Sequence, residues 1–149
     1  ASFVPNGDFD ELATGESTET TVMYQISDGN GGTAVAEVTV TVTGTNDAPE
    51  AQNSSYIVNQ SEAFGDNDAN AITDDTGEGA DSDVDGDPLT VAAVDGSAAN
   101  VGEEVAGDNG GLFIINEDGS VDFSANGDFD DLGEGETAST TVTYTVTDP

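Results

Sequence analysis

The run Asp81-Ser82-Asp83-Val84-Asp85-Gly86-Asp87-Pro88-Leu89 sets an aspartate at every other position and a glycine at the sixth. That spacing follows the first half of a calcium loop, in which alternate side chains converge on one centre and the glycine permits a sharp bend. The chemistry is that of a hard cation drawing about six to eight oxygen ligands. The twelfth position is Ala92, not the glutamate a helix–loop–helix site requires, and Pro88 leads into the strand-like Leu89-Thr90-Val91. The segment therefore reads as the calcium loop of a β-protein, with Asp81, Asp83, Asp85 and Asp87 as candidate ligands; the competing reading is a solvated acidic loop. Asp66-Asn67-Asp68-Ala69-Asn70 alternates in the same way without the glycine, so Asp66 and Asp68 belong either to a second metal loop or to a polar surface loop. Asp28 lies in a glycine-rich turn and Asn46-Asp47 in a linker, both ordinary places for these residues. In a tandem array, however, linker carboxylates of one unit and loop carboxylates of the next meet at the junction.

The whole composition raises the same question of what neutralises the acid. Among 149 residues there are 32 Asp plus Glu and no Lys, Arg or His, giving a formal net charge of −32. Such a chain repels itself, and divalent cations are the obvious compensating species. A halophilic acidic coat would also account for the charge, but not for the ordered spacing of the aspartates. Without basic residues there is no footprint for nucleic acid, and an anionic membrane surface would repel the chain. The absence of His and Cys removes the usual ligands of zinc, haem and iron–sulfur clusters. It also removes every Ser–His or Cys–His nucleophile. An enzyme is not expected, nor a disulfide, nor insertion into a membrane.

The elements that would hold these residues follow from a repeat. Asn6-Gly7-Asp8-Phe9-Asp10-Glu11-Leu12 returns as Asn126-Gly127-Asp128-Phe129-Asp130-Asp131-Leu132. At the same offset, without a gap, Thr21-Val22 returns as Thr141-Val142, Tyr24 as Tyr144 and Asp28 as Asp148. Between them the pattern has period two. Val22, Tyr24 and Ile26 alternate with Thr21, Met23 and Gln25, and Ala36, Val38, Val40 and Val42 alternate with Glu37, Thr39 and Thr41. Alternation with Val, Thr and Tyr enrichment predicts half-buried antiparallel strands over 21–27, 34–43 and 141–147. Further strands are expected near 55–58, 89–94, 112–115 and 120–123. Asp28–Gly32 and Asn116–Gly119 are predicted hairpin turns, and Phe9–Leu12 a single turn. Phe9, Phe129, Leu12, Leu132, Tyr24 and Tyr144 are expected as core anchors. The fold class is all-β: an antiparallel Greek-key β-sandwich of immunoglobulin or cadherin-like type, in tandem repeat. Residues 1–48 form the C-terminal part of one repeat ending in its linker, and 49–149 the following repeat, lacking its last strand.

The stretch Asp118-Gly119-Ser120-Val121-Asp122-Phe123, with Asn126–Leu132, Gly135-Glu136 and Thr143–Asp148, resembles the VCBS repeat, one of the cadherin-like modules of large RTX-type bacterial adhesins. Ser27-Asp28-Gly29-Asn30-Gly31-Gly32-Thr33 and Thr43-Gly44-Thr45-Asn46-Asp47-Ala48-Pro49 resemble the end and linker of the same module, and Asp81–Leu89 its calcium loop. The resemblance implies an extracellular extender at the bacterial cell surface, serving adhesion or biofilm formation and stiffened by junction calcium. It implies Asp83, Asp85 and Asp87 as ligands, joined by Asp28, Asn46 and Asp47, with Glu62 as a further candidate. Implied partners are calcium and neighbouring repeats or identical subunits. The alternative readings are a filament subunit assembled by strand sharing and, behind it, a carbohydrate-binding module.

Overall fold

In the computed structural model, residues 2–60, 63–64 and 69–149 are described. By backbone proximity the chain divides into two units, Ala1–Asp47 with Val84–Gly86, and Ala48–Asp83 with Asp87–Pro149. All strand pairs are antiparallel. Among the described residues the sole helical element is a 3-10 turn at Ala98–Asn100.

The first unit is built on one long hairpin, β1 (Ser17–Ser27) and β2 (Thr33–Thr43), paired along its whole length from Ser17↔Thr43 to Ser27↔Thr33. Its turn is organised by Asp28, whose Oδ1 accepts from the Asn30 and Gly32 N–H groups at 2.8 and 2.9 Å. Directly opposite residues share a face. Val22 therefore stands with Val38, Tyr24 with Ala36, and Ile26 with Ala34. That apolar face is solvent-facing: Val22 is 62%, Tyr24 47% and Ile26 60% exposed. Near the N-terminus Leu12 N–H closes onto Phe9 O as the expected single turn.

The second unit carries two sheets. One has the order β3-β7-β6-β5, comprising β3 (Ala63–Phe64), β5 (Val105–Ala106), β6 (Leu112–Ile115) and β7 (Val121–Ser124); the other pairs β4 (Thr90–Val94) with β8 (Tyr144–Thr147). The core is Ala69, Ala71, Ile72, Val91, Val94, Ile115 and Val121, with Tyr56, Phe64, Leu89, Val142, Tyr144 and Val146 packed against it. Phe123 joins the aromatic cluster, its ring centroid 4.8 Å from Phe113 and 5.8 Å from Phe64. The expected cadherin-like β-sandwich is the architecture found.

Several details differ from the period-two reading. The strand predicted at 55–58 forms no ladder; its polar groups bond side chains and loops instead, Ser55 N–H to Thr76 Oγ1 and Tyr56 OH to Asn70 O. Val91 and Val94, three apart, are both buried because the register slips between Val91 and Ala93. A β-bulge there turns the second valine inward. The strand predicted over 141–147 is shortened to β8, since two carboxylates take the place of ladder acceptors. Asp108 Oδ1 accepts the Thr141 N–H at 2.7 Å, and Asp95 Oδ1 accepts the Thr143 N–H at 3.0 Å. The Thr141 backbone bond is the chief reason the Asp108 carboxyl lies below its ordinary range.

The β6–β7 turn depends on Gly119, at φ +83. A Cβ there would lie 2.7 Å from Asn70 Oδ1, which already accepts from Ile72 and Thr73 N–H. At Gly135, φ +82, nothing lies within 4 Å. Gly119→Ala is therefore expected to cost about 3 kcal/mol, strain plus overpacking, and Gly135→Ala about 1 kcal/mol, strain alone. Paired urea unfolding curves check the difference.

Candidate metal centre

The loop between Asp81 and Leu89 keeps the alternation of its sequence. Asp81, Asp83, Asp85 and Asp87 are half-buried, while Ser82, Val84, Gly86 and Pro88 face solvent. Gly86 supplies the bend at φ +77, a conformation other residues adopt only with strain. As a result Asp83, Asp85 and Asp87 each bring one carboxylate oxygen within 4.8 Å of the others. The loop is braced from within, Asp83 Oδ1 accepting the Asp87 N–H at 3.3 Å. Asp85 Oδ2 accepts the backbone N–H of Asp47 at 2.8 Å.

Three like charges at this spacing raise one another's energy, and a cation among them reverses the sign of that interaction. The donor set suits a hard cation: carboxylate oxygens, no nitrogen and no sulfur. One more buried carboxylate oxygen lies outside that cluster. Asp148 Oδ2 is buried and accepts no hydrogen bond. It follows Thr147, which pairs with Thr90 just beyond the loop, so the register carries Asp148 towards Leu89. Sequence reasoning passed over Asp148; the signal available was its alignment with the candidate Asp28.

The other predicted ligands are placed differently. Asp81 is committed to structure, its Oδ1 accepting the Gln52 N–H at 2.6 Å and its Oδ2 the Tyr144 hydroxyl at 3.1 Å. It does not join the three-carboxylate cluster. Asp28 is the acceptor of the hairpin turn. Asn46 and Asp47 follow the opposite end of that hairpin, where Ser17 meets Thr43. At about 3.3 Å per residue, eleven-residue strands hold the two ends roughly 30 Å apart. Within one chain Asp28 is thus not brought to Asn46 and Asp47. Asn46 and Asp47 are exposed, and the Asn46 amide donates to Asp47 O at 3.0 Å. Glu62, Asp66 and Asp68 lie outside the described residues.

Among the described residues no helix is long and apolar enough to cross a membrane. Among curated proteins and solved structures, none matches the chain. A family model does match, that of the bacterial cadherin-like domain, over residues 46–149. That span holds the second unit, both its sheets and the Asp83–Asp87 loop, and on it the chain belongs to the bacterial cadherin-like domain family.

Proposed function

We propose that this chain is a calcium-stabilised extender module of a bacterial surface adhesin, holding other parts of an extracellular assembly at a distance from the cell. The observation that carries this reading is the convergence of Asp83, Asp85 and Asp87 in a loop of a cadherin-like domain. Asp83, Asp85 and Asp87 would hold the ion. The cation's contribution there is electrostatic: it ties the loop to the start of β4 and offsets part of a charge of −32. A module with such a loop stiffens when calcium is plentiful, as outside a cell, and loosens when it is withdrawn. Adhesion and biofilm formation are the settings in which reach and stiffness of this kind serve a bacterium.

Titration calorimetry with calcium chloride tests the reading. Extracellular calcium modules bind with dissociation constants of about 10⁻⁴–10⁻³ M, and saturable binding in that range is expected. Asp85→Asn should weaken it at least tenfold, since a ligand and a charge are lost together. Asp10→Asn, in an exposed turn outside the loop, should leave it unchanged. No saturable binding, or equal loss in both variants, sinks the calcium reading.

A further inference from the structure

The two copies of the repeated strand sit in different surroundings. In the second unit, Val142, Tyr144 and Val146 pack on the core. Their counterparts Val22, Tyr24 and Ile26 form the exposed apolar face of the hairpin. The same apolar pattern, Val-x-Tyr-x-Ile or Val, is thus seated in one place and unseated in the other. The seated copy identifies what would cover the unseated one.

Backbone direction agrees. In the hairpin Asp28 N–H bonds Gly32 O and Glu16 O accepts from Gly44 N–H, so even-numbered residues of β1 point their backbone groups at β2. Along an antiparallel strand such groups alternate between edges. The odd-numbered residues Met23, Gln25 and Ser27 therefore face the edge of β1 that β2 leaves open. In the second unit Thr143 O accepts from Asp95 N–H, just beyond the end of β4. Thr143, Thr145 and Thr147 are the counterparts of Met23, Gln25 and Ser27. The open edge of β1 is the edge that β8 uses to pair with β4.

We propose that the β1–β2 hairpin of one copy docks on β4 of a second copy in place of β8, carrying the register over residue by residue. Ser27 then pairs with Thr90, Ile26 with Val91, Gln25 with Ala93 and Tyr24 with Val94, as Thr147, Val146, Thr145 and Tyr144 do within one chain. Tyr24 OH takes over the acceptors of Tyr144 OH: Gln52 O, Ala71 O and the Asp81 carboxylate. The exchange covers the apolar face formed by Val22, Tyr24 and Ile26, and it brings β2 along as a ready-made next strand where β8 offers a four-residue strand. Because β1 takes the place of the different strand β8, the contact is head-to-tail and propagates from copy to copy unless the rotation closes a ring, and an exposed strand edge favours it. Two chains of charge −32 oppose it, so it belongs to conditions that screen or bind charge.

Two single-cysteine proteins test the register, on a background with no native cysteine. Ser27→Cys and Thr90→Cys chains are mixed at high concentration in 10 mM calcium and, separately, in 1 M sodium chloride, then oxidised and resolved without reductant. The mixed disulfide dimer is expected at least tenfold above that from a Met23→Cys and Thr90→Cys pair, whose register is offset. Adding Tyr144→Phe to the Thr90→Cys chain weakens the resident strand and should raise the yield several-fold. Adding Ile26→Asp to the Ser27→Cys chain should abolish it. Equal yields from the matched and offset pairs, or no dimer in either solution, overturn the proposal and leave the hairpin face to another occupant.

Discussion

Withdrawing calcium with a chelator is expected to lower the thermal unfolding midpoint by about 10–20 °C, relative to a solution holding calcium at a hundred times its dissociation constant. One site saturated to that degree adds about 2.7 kcal/mol, and in a domain of roughly 100 residues each kcal/mol moves the midpoint by about 4–8 °C. Against a usual total of about 5–15 kcal/mol, that is a large share. The triple variant Asp83→Asn, Asp85→Asn, Asp87→Asn separates a bound ion from general screening. In calcium it should melt near the chelated parent, because the ligands are gone. In chelator it should melt at or above the parent, because three charges whose oxygens lie within 4.8 Å of one another no longer repel. Sodium chloride at 1 M screens exposed charges in both proteins alike and should recover only a minor part of the loss. Identical melting curves for the parent in calcium and in chelator sink the claim. A parent and triple variant that respond equally to calcium would assign the effect to the acidic surface as a whole.

What the sequence discloses about this molecule depends on how far apart the deciding groups lie. The Asp83–Asp87 loop is legible because its geometry is local: three carboxylates and a glycine at φ +77 lie within five residues. The hairpin turn at Asp28 is legible for the same reason, its acceptor and donors being two and four residues apart. Asp81 has the same spacing as its neighbours, yet its fate is set by Gln52, 29 residues away, and Tyr144, 63 residues away. No local pattern distinguishes it from Asp83. Asp108 and Asp95 likewise take the N–H groups of Thr141 and Thr143 across 33 and 48 residues, which turns half of a period-two run into irregular backbone. The bulge in β4 is hidden because Val91-Ala92-Ala93-Val94 carries no Gly, Pro or Asn to mark it. The two copies of the repeated strand make the point most sharply. Tyr24 and Tyr144 have the same local sequence pattern, and only the partner strand decides that one is exposed and the other seated on the core.

That pair also sets up the second large effect, the removal of one hydroxyl. Tyr144 OH lies 2.9 Å from Gln52 O, 3.0 Å from Ala71 O and 3.1 Å from Asp81 Oδ2, joining three separate segments of the second unit to β8. Tyr144→Phe keeps the ring in its contacts and removes the single proton that these three acceptors share. A cost of about 1–3 kcal/mol at pH 7 is expected from the unsatisfied groups. Tyr24→Phe, on an exposed ring, should stay within about 0.5 kcal/mol. The two also part company in alkali. Burial, and then the Asp81 charge beside it, push the Tyr144 hydroxyl up to about 12 from its ordinary 10.0. The folded state thus favours the protonated form more than the unfolded chain does. That contribution is complete below pH 10 and is lost as the pH climbs from 10 towards 12. Burial and Asp74 raise Tyr56 in the same direction, so some alkaline sensitivity persists without Tyr144. Urea midpoints taken from pH 9 to 12 should therefore fall for the parent and for Tyr24→Phe along one curve. Tyr144→Phe should start lower and fall less. Parallel curves for all three proteins would remove the Tyr144 hydroxyl from the group that fixes β8 to the core.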